Sequence, residues 1–376
     1  EFEISLIHFG FKLKKQYYVS FFIRDRLDVG LLYPINLIRL PLTGNAPYIG
    51  ETYRMDGLRL FGTYFREWAL GVSKVINPRL TLGARAQLLF GKANIHTYYN
   101  HLYLYTNPDI YQLEAGSSLQ LNASPLIVTT DNNNQLQSIE FPQMSVTSFL
   151  LNRRNKGLAL SAGVMYQYTD EIVLEASLLD VGAIYWRYVP VRVHERANFE
   201  YNGFRYNPVT REFEDVQQTI DSALQSYTLS VSDKSYLTAL SPKLYIGGTY
   251  QIQPWLQAGI LLRNELYHNR LNTGVTPSFY LNYKALSLVG NITYIHRSII
   301  NPGLGFNIQT RRIGFYAISD NVYGLFKYKS MRFTNVRLGF NLFWGCPRSK
   351  EPGLPPCPAY GDIPQKRNRL KALQGR

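Results

Sequence analysis

The residue types that perform most enzymatic and metal-binding chemistry are few and scattered in this chain. Six histidines and two cysteines are present, and no HExxH, CxxC or Gly-x-Ser-x-Gly motif joins them to a partner. His96 and His101 share one segment with Tyr98, Tyr99 and Tyr103, a pattern more typical of an aromatic girdle at a membrane surface than of a metal site. We therefore expect no catalytic, metal-binding or cofactor-binding residue and no enzymatic activity. An enzyme with its site at the rim of a barrel ranks third among the interpretations.

Charged side chains are the other candidates for function, because they fall on the polar face of segments that alternate between apolar and polar residues. Inside a membrane protein a charge is costly unless it meets water or an opposite charge. Two interpretations follow. The charges form an ion-pair network that fills and stiffens a barrel, which the acidic Glu265 favours, or they line an anion-favouring channel or ligand-binding lumen. Asp180 belongs to the same ambiguity. The predicted lumenal residues are Arg24, Arg26, Arg85, Arg263, Glu265 and Arg337.

Such faces require strands, whose side chains alternate with a period of two. In residues 79–93 the apolar side chains take alternate positions, and Thr81, Gly83, Arg85 and Gln87 lie between them. Similar segments recur along the chain, at lengths that suit a tilted transmembrane strand of about 9–11 residues. Residues 79–93 and 94–105 are predicted as two separate strands. A soluble sandwich would also alternate, but the Gly, Gln, Asn and Arg of the polar face favour a membrane barrel. The sequence thus predicts an all-β fold, a transmembrane antiparallel β-barrel of about 14 strands, within a range of about 12–16.

The chain divides into a barrel and a tail. Residues 1–345 form the predicted barrel, whose N-terminal part we expect to be missing, with loop insertions at 30–58, 123–153 and 209–235. In the last insertion, apolar residues at helical spacing follow Glu212 and Glu214, which predicts a short amphipathic helix.

Residues 346–376 are Pro-rich and basic, so they cannot bury a core and form a non-barrel C-terminal tail. Cys346 and Cys357 form a disulfide if the tail lies in an oxidising periplasm, or remain two free thiols. The tail residues expected to bind a partner are Arg348, Lys350, Lys366, Arg367, Arg369 and Lys371.

The net charge of +14 constrains the partners. No zinc-finger, KH or RRM signature accompanies it, so we expect no nucleic acid and instead predict outer-membrane lipid, lipopolysaccharide and other outer-membrane or periplasmic proteins. Aromatic residues near strand ends predict girdles at the two membrane surfaces, namely Tyr17, Tyr166, Tyr168, Tyr185, Trp186, Tyr188, Trp255 and Trp344. The expected location is the outer membrane of a Gram-negative bacterium, with the tail in the periplasm.

Several strings also suggest relatives: residues 80–85 (LTLGAR), 89–94 (LFGKAN), 320–325 (DNVYGL) and 339–346 (GFNLFWGC). The chain resembles a Bacteroidota family of outer-membrane β-barrels of unassigned function, related to FadL-like barrels and to the PorV and PorP/SprF proteins of type IX secretion and gliding. The resemblance implies a FadL-like barrel, sometimes plugged by its N-terminal segment.

Two functions remain open at this point. The first is a non-enzymatic accessory subunit of a multiprotein outer-membrane complex for secretion, gliding or barrel assembly, whose tail contacts periplasmic partners. The second is a FadL-like or porin-like transporter of hydrophobic or anionic small molecules.

Overall fold

The protein is an antiparallel all-β structure with few helices, seen in a computed structural model. The structure describes residues 2–13, 16–201, 205–207, 212–214, 226–267, 270–295, 301–310, 313–319, 321–322 and 336–342. No helix within these ranges combines the length and the apolarity needed to cross a membrane.

The strands are numbered in chain order. The first eleven are β1 Phe2–Leu13, β2 Tyr17–Leu32, β3 Thr52–Arg54, β4 Arg59–Asn77, β5 Leu80–Thr106, β6 Leu113–Ser124, β7 Ile127–Thr130, β8 Leu136–Glu140, β9 Asn155–Gln167, β10 Ile172–Trp186 and β11 Val191–Tyr201. The others are β12 Arg205–Asn207, β13 Glu212–Glu214, β14 Tyr227–Ser232, β15 Tyr236–Ala239, β16 Lys243–Gln253, β17 Leu256–Tyr267, β18 Arg270–Tyr283, β19 Leu286–Ile295, β20 Asn301–Gln309, β21 Ile313–Ser319 and β22 Val336–Leu342. The helices are α1 Ile35–Thr43 and α2 Val146–Leu150, with a 3-10 turn at Ala46–Tyr48.

Eighteen of these strands form one sheet. Its principal part, which we call the wall, runs in the order β1, β2, β4, β5, β9, β10, β16, β17, β18, β19, β20, β21 and β22, every neighbour antiparallel. At one end of the wall the connections are short, as at residues 78–79, 168–171, 254–255 and 284–285. At the other end three connections are long, at residues 33–58, 107–154 and 187–242, although only residues 268–269 separate β17 from β18. Outer-membrane barrels have this asymmetry, with short periplasmic turns.

The described wall is not closed. Its edge strands β1 and β22 both run toward the short-connection end, and no pairing between them is seen in the described residues. Closure and a strand number of about 14 therefore stay predictions.

A fork in β5 gives the sheet a second arm. The first half of β5 pairs with β9 in the wall, whereas its second half, from Asn94 onward, pairs with β6. Strands β11 and β14 continue from β6, and β3 pairs with the end of β5. We call β3, β6, β11, β14 and the second half of β5 the branch sheet. The two strands predicted at 79–93 and 94–105 are thus one strand of 27 residues, and that prediction was wrong.

The three predicted insertions contain regular elements. Residues 30–58 hold the end of β2, α1, the 3-10 turn and β3, while residues 123–153 hold the β7–β8 hairpin and α2. In the third insertion, Glu212–Glu214 pairs with Arg205–Asn207 as a strand, so the amphipathic helix does not begin there as predicted. The rest of that predicted helix, and the tail with Trp344, lie outside the described residues.

Candidate functional site

The concave face of the wall carries a connected group of charges, and β2 and β4 position its centre. Side chains of alternate residues face inward, so Arg24 and Arg26 point to the same side as Glu67 of the neighbouring strand. Arg24 donates to Glu67 through Nε at 2.7 Å and Nη2 at 3.2 Å. Its Nη1 donates to Glu3 of β1 at 2.6 Å. One arginine therefore joins carboxylates on both neighbouring strands.

Arg26 extends this group across the concave space. Its Nη1 donates to Asp180 of β10 at 2.9 Å and lies 3.7 Å from Glu67. Gln87 of β5 donates to the other Asp180 oxygen at 3.1 Å. Because β2 and β10 are separated by three wall strands, a direct contact between them requires the sheet to curve strongly. We call Glu3, Arg24, Arg26, Glu67, Gln87 and Asp180 the charge network.

A second ion-pair group lies on β16 and β17. Lys243 and Glu265 face each other in the register of the two strands, with 3.6 Å between Nζ and Oε1. Arg263, two residues before Glu265 and on the same face, donates to it at 2.6 Å. A cavity of only 40 Å³ lies between this group and the charge network, and Arg26, Asp28, Phe65, Lys243 and Glu265 contribute to its lining.

An apolar layer packs beside the charge network on the concave side, toward the long-connection end. It contains Phe65, Leu89, Ala159, Ile184, Trp186 and Tyr236, all buried. Trp186 and Tyr236 stack with ring centroids 6.4 Å apart, and the Tyr236 hydroxyl donates to Asn94 at 3.0 Å. Tyr236 lies in the long connection between β10 and β16, where burial raises the pKa of its phenol far above the usual value, so it remains a neutral donor. The prediction of Trp186 as a girdle residue was wrong, since alternation after Tyr185 turns its ring inward.

The structure places the six predicted lumenal charges in three different surroundings. Arg24, Arg26, Arg263 and Glu265 belong to the two ion-pair groups described above. Arg85 lies over the Phe22 ring, 4.8 Å from its centroid, and the Arg24 guanidinium lies 4.7 Å from the same centroid. Arg337 is exposed on the edge strand β22 and is not a member of either ion-pair group. Cys346, Cys357, Arg348, Lys350, Lys366, Arg367, Arg369 and Lys371 lie outside the described residues.

Sequence reasoning missed Glu3, Glu67 and Lys243. Glu67 is adjacent to Arg66, so alternation alone left open which of the two charges faces inward. The sequence did contain one clue, which is that the charges of β2 and β4 are opposite in order. In the register of the two strands, Arg24-Asp25-Arg26 pairs residue by residue with Glu67-Arg66-Phe65. The outward partner of Arg66 is Asp25, with Nε to Oδ1 at 2.7 Å.

The arrangement of these side chains is better suited to holding the strands of the wall together than to catalysis. Each carboxylate of the charge network accepts hydrogen bonds from arginine or glutamine, and this leaves no basic group poised beside a nucleophile there. Within the described ranges, no group of three His, Cys, Asp or Glu side chains could hold a metal ion. These groups can fix the curvature of the wall and set the electrostatic potential on its concave side.

Three comparisons with known proteins relate the chain to others. A family model described as "Family of unknown function (DUF5723)" matches residues 1–320. The comparison with curated proteins finds no match. Among solved structures, two engineered variants of Rhodopseudomonas blastica porin are each similar at 11% identity over 71% of this chain and 91% of theirs, with a TM-score of 0.21. A structure titled "Asymmetric conductivity of engineered proteins" is similar at 11% identity over 72% of this chain and 94% of its own, also with a TM-score of 0.21. At that TM-score the structural likeness supports no argument about shape or function.

Proposed function

The chain belongs to the family of unknown function DUF5723, and from that premise we propose that its wall is the membrane-spanning part of an outer-membrane β-barrel in a Gram-negative bacterium. The supporting observation is the way the two faces of the wall divide apolar and charged residues. Along the convex face, large apolar side chains are exposed in every strand from β4 to β10 of the wall, among them Leu70, Val72, Leu82, Leu88, Leu158, Leu160, Leu174, Leu178 and Val181. On the concave face, Glu67, Gln87, Ser161 and Asp180 are buried.

This division is the reverse of that in a water-soluble protein. A soluble monomer rarely exposes a continuous apolar patch larger than a few hundred Å². Such a surface is stable where lipid covers it, and barrels in membranes alternate apolar-out and polar-in. The convex band extends from the short-connection end to the level of Arg66 and Lys156, where charged side chains begin.

Membrane fractionation tests the location. We expect the native protein to sediment with outer membranes, to resist extraction at high pH and to migrate faster on SDS gels before heating than after. Release into the soluble fraction at high pH would contradict the proposal.

For the role of the barrel we propose a non-enzymatic accessory subunit of a multiprotein outer-membrane complex for secretion, gliding or barrel assembly. We also propose that the chain is related to the PorV and PorP/SprF barrels of Bacteroidota. The packed concave side supports this proposal: the charge network and the apolar layer fill it between β2 and β10, and the cavity beside Arg26 measures only about 40 Å³. The tail, through its basic residues, is proposed to contact partners in the periplasm.

The alternative is a FadL-like or porin-like transporter of hydrophobic or anionic small molecules. The observation in its favour is the positive potential that five cations, Arg24, Arg26, Arg85, Lys243 and Arg263, contribute to the concave side. An anion entering from solution would be attracted by this potential.

One pair of measurements separates the two roles. The tagged native protein is extracted in mild detergent and its co-purifying proteins are identified, with a matched variant that lacks residues 346–376. Stoichiometric partners lost from the truncated variant support the accessory subunit. A protein that purifies alone and conducts anions in planar bilayers supports the transporter and excludes the first role.

A further inference from the structure

A groove of about 510 Å³ lies on the convex face of the wall, at the long-connection edge of the apolar band. Outward-facing side chains of β5, β9, β10 and β15 contribute its apolar lining, namely Leu88, Phe90, Leu158, Tyr185 and Leu237. Leu88, Leu158 and Leu237 are each about half exposed or more, so the groove opens toward whatever surrounds the band. Its size is in the range of ligand-binding clefts.

A cluster of four cations stands at the end of this groove. Lys156 lines the groove itself, exposed Arg154 lies just before the first residue of β9, and exposed Arg187 lies just after the last residue of β10. The Arg153 guanidinium lies 5.2 Å from the Trp68 ring centroid and 5.9 Å from that of Phe90.

None of these cations has a carboxylate partner within 4 Å in the part of the chain that the structure describes. By contrast, Arg66 at the same level is paired with Asp25. The cluster therefore presents positive charge that no carboxylate of the described ranges neutralises.

The backbone that carries the cations is held in place from below. The buried Asn155 side chain accepts from the backbone N–H groups of Arg187 and Tyr188 at 3.0 and 2.9 Å. Arg187 Nε donates to the Arg154 carbonyl at 2.9 Å, and Lys92 Nζ donates to the Asn152 carbonyl at 2.6 Å. These contacts fix the spacing between the cations before any ligand arrives, which lowers the entropic cost of binding.

We propose that this groove and cation cluster bind a phosphorylated glycolipid of the outer leaflet, of the lipid A class. An acyl chain lies in the groove, and the phosphate groups lie on Arg153, Arg154, Lys156 and Arg187. The site rests on the proposed function, because it requires the convex band to be in a membrane. The long-connection end then faces the outer leaflet, and arginine is the side chain best suited to phosphate.

The test is a native mass-spectrometry titration of the full chain with lipid A and with dephosphorylated lipid A, in a non-ionic detergent. The site variant is Arg153→Gln/Arg154→Gln/Lys156→Gln. The control variant, Lys74→Gln/Arg79→Gln/Lys284→Gln, removes the same charge at the short-connection edge. Heat-modified gel migration verifies that each variant is folded.

We expect the wild type and the control to bind lipid A alike, and the site variant to bind on the order of a hundredfold more weakly. Dephosphorylated lipid A should bind the wild type as weakly as lipid A binds the site variant. Equal lipid A affinity of a folded, membrane-embedded site variant, or indifference to the phosphates, overturns the lipid site alone. A wild type that fractionates as a soluble protein overturns the proposed function and the lipid site with it.

Discussion

At the scale of residues, three successive rungs between β2 and β4 show how side chains specify the wall. Arg24 pairs with Glu67 inward, Asp25 pairs with Arg66 outward, and Arg26 lies over the Phe65 ring at 5.3 Å from its centroid. A shift of one residue would place every one of these side chains on the wrong face. The two ion pairs and the cation–π contact therefore favour one register on both faces at once.

The buried member of the first rung provides a prediction. Glu67 is 0% exposed, and Glu→Gln there leaves Arg24 and Arg26 facing each other without the carboxylate between them. We expect Glu67→Gln to lower the free energy of unfolding by about 3–5 kcal/mol, the usual effect of removing one partner of a buried pair.

Urea unfolding in lipid vesicles, followed by tryptophan fluorescence, measures this. Glu3→Gln is the matched control, because Glu3 bonds the same arginine but its side chain is 38% exposed, so its loss should cost no more than about 1 kcal/mol. Equal effects of the two variants would show that burial of the network does not matter.

Close approach of strands at Gly182 provides a second prediction. A Cβ on Gly182 would overlap the backbone of Leu158 and Ala159, whereas a Cβ on Gly290 would meet nothing within 4 Å. We expect Gly182→Ala to destabilise the protein by roughly 1–3 kcal/mol, because backbone atoms must move. Gly290→Ala should be neutral or stabilising by up to about 1 kcal/mol, since it restricts only the unfolded chain. Urea midpoints of the two variants, compared with the wild type, decide whether β9 and β10 approach as described.

At the scale of elements, the fork of β5 depends on buried polar side chains. Where β9 leaves β5 and β6 takes its place, Asn94 donates to the Gly62 carbonyl at 3.0 Å, and Asn155 reaches the Gly91 carbonyl at 3.4 Å. Ser124 donates to the Tyr188 carbonyl at 2.8 Å. These side chains bond to backbone carbonyls around the point where the strands diverge, and buried backbone groups require such partners.

Removing one of them should loosen the fork. Asn155→Ala leaves the partly buried N–H groups of Arg187 and Tyr188 without this acceptor, so we expect the free energy of unfolding to fall by about 1–3 kcal/mol. Amide hydrogen exchange should accelerate in the branch sheet before it does in the wall. Asn107→Ala is the control: Asn107 also accepts from two backbone N–H groups, those of Asp109 and Ile110, but in a turn that water reaches. If amide exchange in the branch sheet of Asn155→Ala matched that of the wild type, the contacts of Asn155 at the fork would not be what holds the branch sheet to the wall.

The fork also shows where prediction from sequence ends. Alternation correctly predicted the apolar face of residues 79–93, because period-two patterning depends only on which side a residue faces. It could not show that β5 continues through Lys92, since a strand that exchanges one neighbour for another leaves no break in the pattern. Likewise the inward direction of Trp186 and of Glu67 depends on parity counted from a neighbouring strand, which a single strand does not reveal. The ion-pair partners Glu3 and Lys243 lie on other strands, so they could be identified only once the register between neighbouring strands was known.

At the scale of the whole molecule, the convex band determines whether the fold is stable in water or in lipid. A long apolar surface around a charged interior is stable only if lipid replaces water on the outside, because exposed leucines on several neighbouring strands would otherwise drive association. The fold and its proposed location are therefore linked: the charge network is tolerable inside because its charges are paired, and the convex band is tolerable outside if lipid covers it. A single charge placed in the middle of the band tests both.

Leu160 on β9 is suited to that test, because it is 64% exposed and has band residues above and below it. In a bilayer, Leu160→Arg should cost about 2–4 kcal/mol and reduce the fraction of protein that inserts into vesicles. In a water-soluble protein the same change at an exposed site would be neutral within about 0.5 kcal/mol and would improve solubility. Leu136→Arg is the control, since Leu136 is 43% exposed on the β7–β8 hairpin away from the wall. Insertion measured by gel shift should fall for the first variant only. Equal insertion of both would place the convex face in water and overturn the membrane proposal.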